Sequence, residues 1–389
     1  MYKVLTYNQI SVKGLEQLPR DRYEVASEIA HPDGIMLRSY KLSPEEIGPT
    51  VRAIARAGAG VNNIPLDACT ARGIPVFNAP GANANAVKEL VVAALLLGSR
   101  GIVEGIAYCD GLNRDMDYKS MNALVEKDKK QFSGNELVGQ TLGVVGLGAI
   151  GSRVAKTALR LGMEVIGFDP ALSVEAAWRL PSEVVKMEHM AALFARADYV
   201  TLHLPALEST RNLIDTAALR AFKPGAVLLN FARDELVDAR AVRAALESKR
   251  LRKYISDFPH PALLGVPGNI SMPHIGASTA EAEENCAIMV AQQLRDFLEN
   301  GNVVNSVNFP RLQLERAGSA RLAVTNSNVP NMLGQITSVL ADADINVVDL
   351  LNKSRESIAY NLIDVETAPS DDVLQQIADI DGVINVRLI

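Results

Sequence analysis

The sequence predicts an α/β protein built on parallel sheets and ending in a small α/β module of different order. Three observations carry this. Short apolar strands alternate with helix-period segments from residue 3 to residue 300, the pattern of parallel strands joined by crossover helices. Residues 141–170, TLGVVGLGAIGSRVAKTALRLGMEVIGFDP, read as a strand, a glycine-rich turn, a helix and a second strand ending on an acid. From residue 321 the order becomes β-α-β-β-α-β over about 70 residues, a ferredoxin-like pattern. With 389 residues, two or three domains are expected, because single cores seldom grow past about 250–300 residues.

The elements follow in order. Residues 3–7 open with a strand, and further strands are expected at 23–25, 34–37 and 75–78. Residues 84–100 read as one long helix, whose apolar run at 90–97 is too short to span a bilayer and suits a buried face. In the glycine-rich unit, Leu142, Val144 and Val145 give the strand, 149–161 the helix and 163–168 the next strand. Strands follow at 198–204 (ending H-L-P), 226–230 and 254–258, with a helix at 239–247 and a last strand beginning at 270–271. Residues 280–300 form a long helix with Cys286, Met289, Val290, Leu294 and Phe297 at helical spacing. Residues 301–318 lack a period and read as a connector. The terminal module has a strand from Arg321, helices at 332–343 and 371–378, and strands at 345–351, 357–365 and 383–388.

The net charge of −6 is spread without long single-sign blocks, which argues against nucleic acid or an anionic membrane as partner. Cys69, Cys109 and Cys286 have no metal or redox spacing. They read as buried or half-buried free thiols of a cytoplasmic protein, with no metal site. The N-terminal MYKVLTYNQI does not have the form of a signal peptide.

Gly146, Gly148 and Gly151 form G-x-G-x-x-G, and Asp169 lies eighteen residues past the last glycine. The first glycine makes the tight turn, the second lets the backbone approach a pyrophosphate, and the third lets helix and strand pack closely. The helix N-terminus offers unpaired N–H groups and a positive dipole end to the phosphates. Asp169 suits a ribose diol and would repel a 2′-phosphate, so NAD is favoured over NADP.

The set G-L-G-A-I-G, F-D-P, H-L-P, N-F-A-R-D-E and M-P-H-I-G-A-S-T resembles the D-2-hydroxyacid dehydrogenase family. R-A-G-A-G-V-N-N-I at 56–64 and N-A-P-G-A-N-A-N-A-V-K-E-L at 78–90 sharpen the likeness to its D-3-phosphoglycerate dehydrogenase branch. The terminal module resembles the ACT regulatory domain. The resemblance implies a Rossmann-type NAD domain at 99–280, a discontinuous flavodoxin-like substrate domain at 1–98 and 281–310, and an ACT domain at 319–389. It places the active site in the cleft between the first two. It implies NAD-dependent oxidation of 3-phospho-D-glycerate, the entry step to L-serine, by a homodimer or homotetramer. The alternatives are a reductase for hydroxypyruvate, glyoxylate or another 2-oxo acid, or a non-catalytic NAD-sensing protein of the same fold.

That chemistry needs a cation for the carboxylate, a base for the hydroxyl proton and a hydride acceptor. Arg233 follows strand 226–230 at the sheet's carboxyl edge, and its guanidinium can fork onto a carboxylate and polarise the carbonyl that forms. His274 lies just past the last strand of that sheet, and an imidazole can take a proton near neutrality. The resemblance implies a cofactor-binding set of Gly146, Gly148, Ala149, Ile150, Gly151, Asp169, His203, Leu204, Pro205, Asn230, Ala232, Asp257 and Gly276. Relatives carry a glutamate before a proline that stabilises the charged imidazole; here the segment is S-D-F-P-H-P, and His260 stands in its place. The same resemblance gives the substrate Arg38 and Ser39 for its phosphate, Asn83, and the Ala59-Gly60 backbone. In the module it implies an L-serine effector site at Asn326 and Asn328, in a turn where Asn326 and Asn331 replace the usual histidine and glycine, and at Asn346 at the start of the following strand.

Overall fold

A computed structural model describes residues 1–389, except for the side chain of Glu175. Its contacts divide the chain into two units, Met1–Asn83 with Thr279–Ile389, and Ala84–Ser278.

The second unit holds a seven-stranded parallel sheet. Its order is Asn269–Ser271, Leu251–Ser256, Ala226–Asn230, Tyr199–Leu202, Thr141–Val145, Glu164–Phe168 and Val185–Lys186. The central strands are apolar at successive positions because both faces are covered. Val145, Val200 and Leu228 pack into one core, while Leu142, Val144, Val227 and Leu229 pack into another. Helix Ala84–Ser99 covers the second face through Val87, Val91, Ala94 and Leu95. Contacts group this helix with the second unit. Gly98 explains the close seating, since a Cβ there would lie 3.1 Å from Val227. Lys253 is buried, and its ammonium donates to the carbonyls of Leu97 and Arg100 at 3.1 Å each. Carbonyls at a helix C-terminus lack intrahelical partners, and a cation answers both that need and the dipole.

Helices Ile102–Asp110 and Tyr118–Asp128 were not expected from the pattern. Neither contains a buried residue, and the apolar side chains of Val103 and Ile106 in the first stand exposed. Asp117 caps the second by accepting from the Ser120 N–H. The cysteines are all free, but Cys109 is exposed rather than buried. Among the described residues no single helix is long and apolar enough to cross a membrane.

The first unit contains a five-stranded parallel sheet in the order Tyr23–Ala26, Tyr2–Tyr7, Gly34–Leu37, Ala53–Arg56, Val76–Phe77. The short strand Ala53–Arg56 was not singled out in the sequence. Helix Ala280–Asn300 is capped by Thr279, ends on Gly301 at φ 73°, and buries Cys286, Val290, Leu294 and Phe297 in the same core as the sheet. That core continues through Val303, Phe309 and Leu312, so the supposed connector is packed.

The terminal module forms an antiparallel sheet in the order Val347–Arg355, Ile358–Val365, Ala320–Ser327, Val383–Leu388, which is the ferredoxin-like arrangement. Even positions Leu322 and Val324 join Ile336, Leu340 and Ile377 under the module's two helices. Ala323, Tyr360 and Leu362, on the opposite face, join the core of the first sheet and helix Ala280–Asn300. Arg321 and Asp364, both fully buried, form a double contact on that face, Nε–Oδ1 at 2.6 Å and Nη2–Oδ2 at 2.8 Å. Arg321 also donates to the carbonyls of Asn300 and Leu314.

Burial alone would raise the Asp364 carboxyl, but Arg321 and the Ala317 and Gly318 N–H groups hold it below its ordinary value. The pair's contribution is therefore complete above the unfolded carboxyl pKa of about 4 and is lost as pH falls through the lower folded value. Arg321→Met leaves a buried carboxylate without its partner. It is expected to cost about 3–5 kcal/mol of stability near neutral pH, measured as a lowered denaturation midpoint, with a smaller loss in acid.

Candidate active site

Strand register places the candidate residues on one edge of the seven-stranded sheet. Phe168, Val145, Leu202, Asn230, Ser256 and Ser271 pair successively across it, so the loops after these residues leave from the same edge. Those loops carry Asp169, the glycine turn, His203, Arg233, Asp257 and His274. Ligands of open parallel sheets bind at such a carboxyl edge.

The glycine turn has the shape that its sequence requires. Gly146 sits at φ 92°, and a Cβ there would lie 2.5 Å from the His203 carbonyl oxygen. A Cβ on Gly151 would lie 1.9 Å from the Gly146 carbonyl oxygen, while one on Gly148 would meet nothing within 4 Å. The middle glycine thus faces open space at the start of helix Gly151–Arg160. Ala149 and Ile150 complete the turn. Asp169 accepts from the Leu147 N–H at 2.8 Å and the Ala171 N–H at 3.0 Å, so the acid is fixed beside the turn.

His203 donates its backbone N–H to Val145, and its Nε2 lies 3.0 Å from the Thr201 hydroxyl. Its Nδ1 is shut from solvent without a partner. Burial pushes the imidazole down to about 3, so it is neutral at ordinary pH. Leu204 packs on the neighbouring core, and the Pro205 carbonyl accepts from Thr210.

A hydrogen-bonded relay joins the two catalytic candidates. Buried Asn230 donates Nδ2 to the Arg233 carbonyl at 2.8 Å and accepts from the Ala232 N–H at 3.2 Å. Its own carbonyl accepts the Asp257 N–H at 3.1 Å. Asp257, also buried, accepts from the Ile275 N–H at 2.8 Å and the Gly276 N–H at 2.7 Å. Those two residues directly follow His274, which stands at φ 57°, a left-handed conformation uncommon for residues other than glycine. The carboxylate therefore holds the loop that carries His274. Gly276 must lack a side chain, because its Cβ would come 2.9 Å from Asp257 Oδ2. Sequence placed Asp257 beside the cofactor; its visible role is to anchor the histidine loop.

Arg233 is exposed, donates to the Ala232 carbonyl at 2.6 Å, and pairs with no carboxylate among the described residues. The exposed His274 ring makes no hydrogen bond among them; Phe258 lies against it with centroids 5.0 Å apart. His260, in the place of the usual glutamate, turns its Nδ1 to the Ala262 N–H at 3.1 Å. Among the described residues no carboxylate forms an ion pair with the His274 ring.

In the first unit, the Arg38 guanidinium is paired with Glu283 of helix Ala280–Asn300 at 2.5 Å, a partner that sequence did not reveal. Asn8 accepts from the Ser39 and Tyr40 N–H groups and so shapes the loop. The Ala59 carbonyl accepts from Asn78 at 2.6 Å. Gly60 and Asn83 are half-buried.

The module's asparagines do not converge within one chain. Asn326 is buried, accepting from Asn361 at 2.7 Å, while Asn352 donates to Asn361 at 2.5 Å. Asn328 donates to the Glu356 carbonyl at 3.0 Å, and Asn331 takes φ 69°. Asn346 lies at the opposite end of the sheet, where its carbonyl accepts from Glu366. Asn326 lies beyond the Thr325–Tyr360 pair, six rows from the Ala320–Val365 end where Asn346 sits.

The model of the D-isomer specific 2-hydroxyacid dehydrogenase NAD-binding domain matches residues 106–276. The D-3-phosphoglycerate dehydrogenase of Haemophilus influenzae is 33% identical over 390 residues, covering 96% of this chain and 90% of that one. This chain belongs to the D-isomer-specific 2-hydroxyacid dehydrogenase family. The Escherichia coli K12 D-3-phosphoglycerate dehydrogenase is 32% identical, with 95% and 90% covered. Among solved structures, the NAD+-bound 3-phosphoglycerate dehydrogenase of Entamoeba histolytica aligns with TM-score 0.61 and 27% identity over 80% of this chain and 99% of that one. The dinucleotide site of the family fits the residues here: a glycine with open space above it, a helix N-terminus and a fixed acid.

Asp169→Ala removes the charge that would repel a 2′-phosphate. It is expected to narrow the preference for NAD over NADP, measured as the ratio of kcat/KM for the two cofactors.

Proposed function

We propose that this protein oxidises 3-phospho-D-glycerate to 3-phosphohydroxypyruvate with NAD as acceptor, the first step toward L-serine. The observation that carries this reading is the nearly full-length likeness to D-3-phosphoglycerate dehydrogenases, which includes the terminal module.

The chain's own groups suit each demand of the reaction. The turn at Gly146–Gly151 and Asp169 would hold the dinucleotide, which when bound accepts a hydride from the substrate's second carbon. Arg233 carries a charge free of carboxylate partners, as needed to fork onto the substrate carboxylate and to stabilise the oxygen as a carbonyl develops. His274 takes the hydroxyl proton. With no carboxylate ion-paired to its ring among the described residues, its position rests on the Asp257 loop and the Phe258 contact. Arg38 and Ser39 are assigned to the phosphate, with Asn83 and the Ala59-Gly60 backbone on the rest of the substrate. Because Glu283 already holds Arg38, the phosphate must share or displace that carboxylate.

The module is assigned an effector role and a part in assembly. Its outer strand Val347–Arg355 is a long exposed edge, with Val348 43% exposed, and such an edge suits pairing with a second copy. An L-serine site built from asparagines at the two ends of the sheet would then need two chains.

The test is NAD turnover with 3-phosphoglycerate, glycerate and lactate, in the parent and in Arg38→Ala. The parent is expected to prefer the phosphorylated acid. The variant should lose roughly 2–5 kcal/mol of transition-state stabilisation with that substrate alone, as expected when one partner of a charge-assisted contact is removed. Equal losses with all three acids would remove Arg38 from the phosphate.

A further inference from the structure

Away from the catalytic loops, the first unit contains a cavity of about 450 Å³ between the module's sheet and the first sheet. Three arginines line it, Arg52, Arg72 and Arg387, against a single carboxylate, Asp33. His31 and Asn385 also face it. This positive concentration stands in a chain whose net charge is −6.

The carboxylate does not satisfy the arginines. Asp33 lies 3.4 Å from Arg52 Nε and also accepts the Lys3 N–H at 2.8 Å. Among the described residues Arg72 has only backbone partners, the carbonyls of Ile47 and Gly48 at 2.6 and 2.7 Å. Arg387 lies 4.5 Å over the Phe297 ring and donates Nη2 to the Phe297 carbonyl at 2.9 Å, while its buried Nη1 has no partner among the described residues. Burial pushes this guanidinium below its ordinary value; Tyr360 opposes that, and Arg52 adds repulsion. Like charges gathered around a desolvated donor are stabilised when an anion enters.

We propose that this cavity binds a small phosphate-bearing anion, held by Arg52, Arg72 and Arg387. Three guanidinium groups match the three terminal oxygens of a phosphomonoester, which accept forked N–H pairs. The walls come from both the module and the first sheet: Asn385 of the module donates to the Gly73 carbonyl at 3.1 Å. An anion here would therefore tie the two together. The site is separate from the residues assigned to catalysis and does not depend on which hydroxy acid is oxidised.

Isothermal titration of the full-length chain with inorganic phosphate at fixed ionic strength tests this, in the parent and in Arg52→Gln, His31→Asp and Arg38→Gln. Arg52→Gln removes one cation whose side chain is 43% exposed. His31→Asp adds a negative charge at an exposed position and tolerates the left-handed backbone there, φ 53°. Each is expected to weaken phosphate binding roughly tenfold or more, the scale of a lost charge-assisted hydrogen bond, with melting temperature near that of the parent in phosphate-free buffer. Arg38→Gln should leave the site intact. Parent-like affinity in either cavity variant, loss of all binding in Arg38→Gln, or no saturable binding by the parent would overturn the proposal.

Discussion

The candidate active site depends on one buried carboxylate. Asp257 takes two backbone N–H groups from the residues after His274 and gives its own N–H to Asn230. Asn230 in turn fixes the carbonyl of Arg233. A histidine in the left-handed region is strained, and such a conformation persists only when its surroundings over-determine it. Here two short bonds to a charged acceptor, stronger than neutral ones, supply that determination. Arg233 and His274 are thus linked by one hydrogen-bonded path, although they stand 41 positions apart in sequence.

The parallel sheet makes the path possible. Its strands end in register, so every loop after a strand emerges at the same edge. Backbone needs that would otherwise be unmet at this edge are answered by Asp169 and Asp257. A similar economy holds in the first unit, where Arg321 answers both Asp364 and the carbonyls that end helix Ala280–Asn300 and the following segment. The module is consequently part of that unit's core rather than a tethered appendage.

The fold was legible in sequence where local chemistry is strong. Gly146, Gly148 and Gly151 announced a turn whose Cβ distances now explain the first and third, and helix Ala280–Asn300 was marked by its apolar spacing from end to end. The β-α-β-β-α-β order was readable because each element of the module has its own period. Helices Ile102–Asp110 and Tyr118–Asp128 were missed, although Ile102, Val103 and Ile106 in one and Met121, Leu124 and Val125 in the other stand at helical spacing; none of these residues is buried in the chain's cores. Long-range polar pairs were hidden. Nothing local announces that Arg38 meets Glu283, that Lys253 closes a helix, or that Asp257 serves the backbone beyond His274. The glutamate missing beside His260 was visible as a departure from the family; that Phe258, not a carboxylate, lies against the His274 ring required coordinates.

The central claim is that Asp257 acts by positioning His274 through the backbone. Its most direct test is single-turnover kinetics of Asp257→Asn beside a measurement of NAD affinity. An amide can accept one of the two N–H groups but presents its own donors to the other. Hydride transfer should therefore slow by roughly 100-fold, the cost of a misplaced catalytic group, while the dissociation constant for NAD stays near the parent value. A variant that transferred hydride at the parent rate, or one that lost NAD binding in proportion to its rate, would contradict the account.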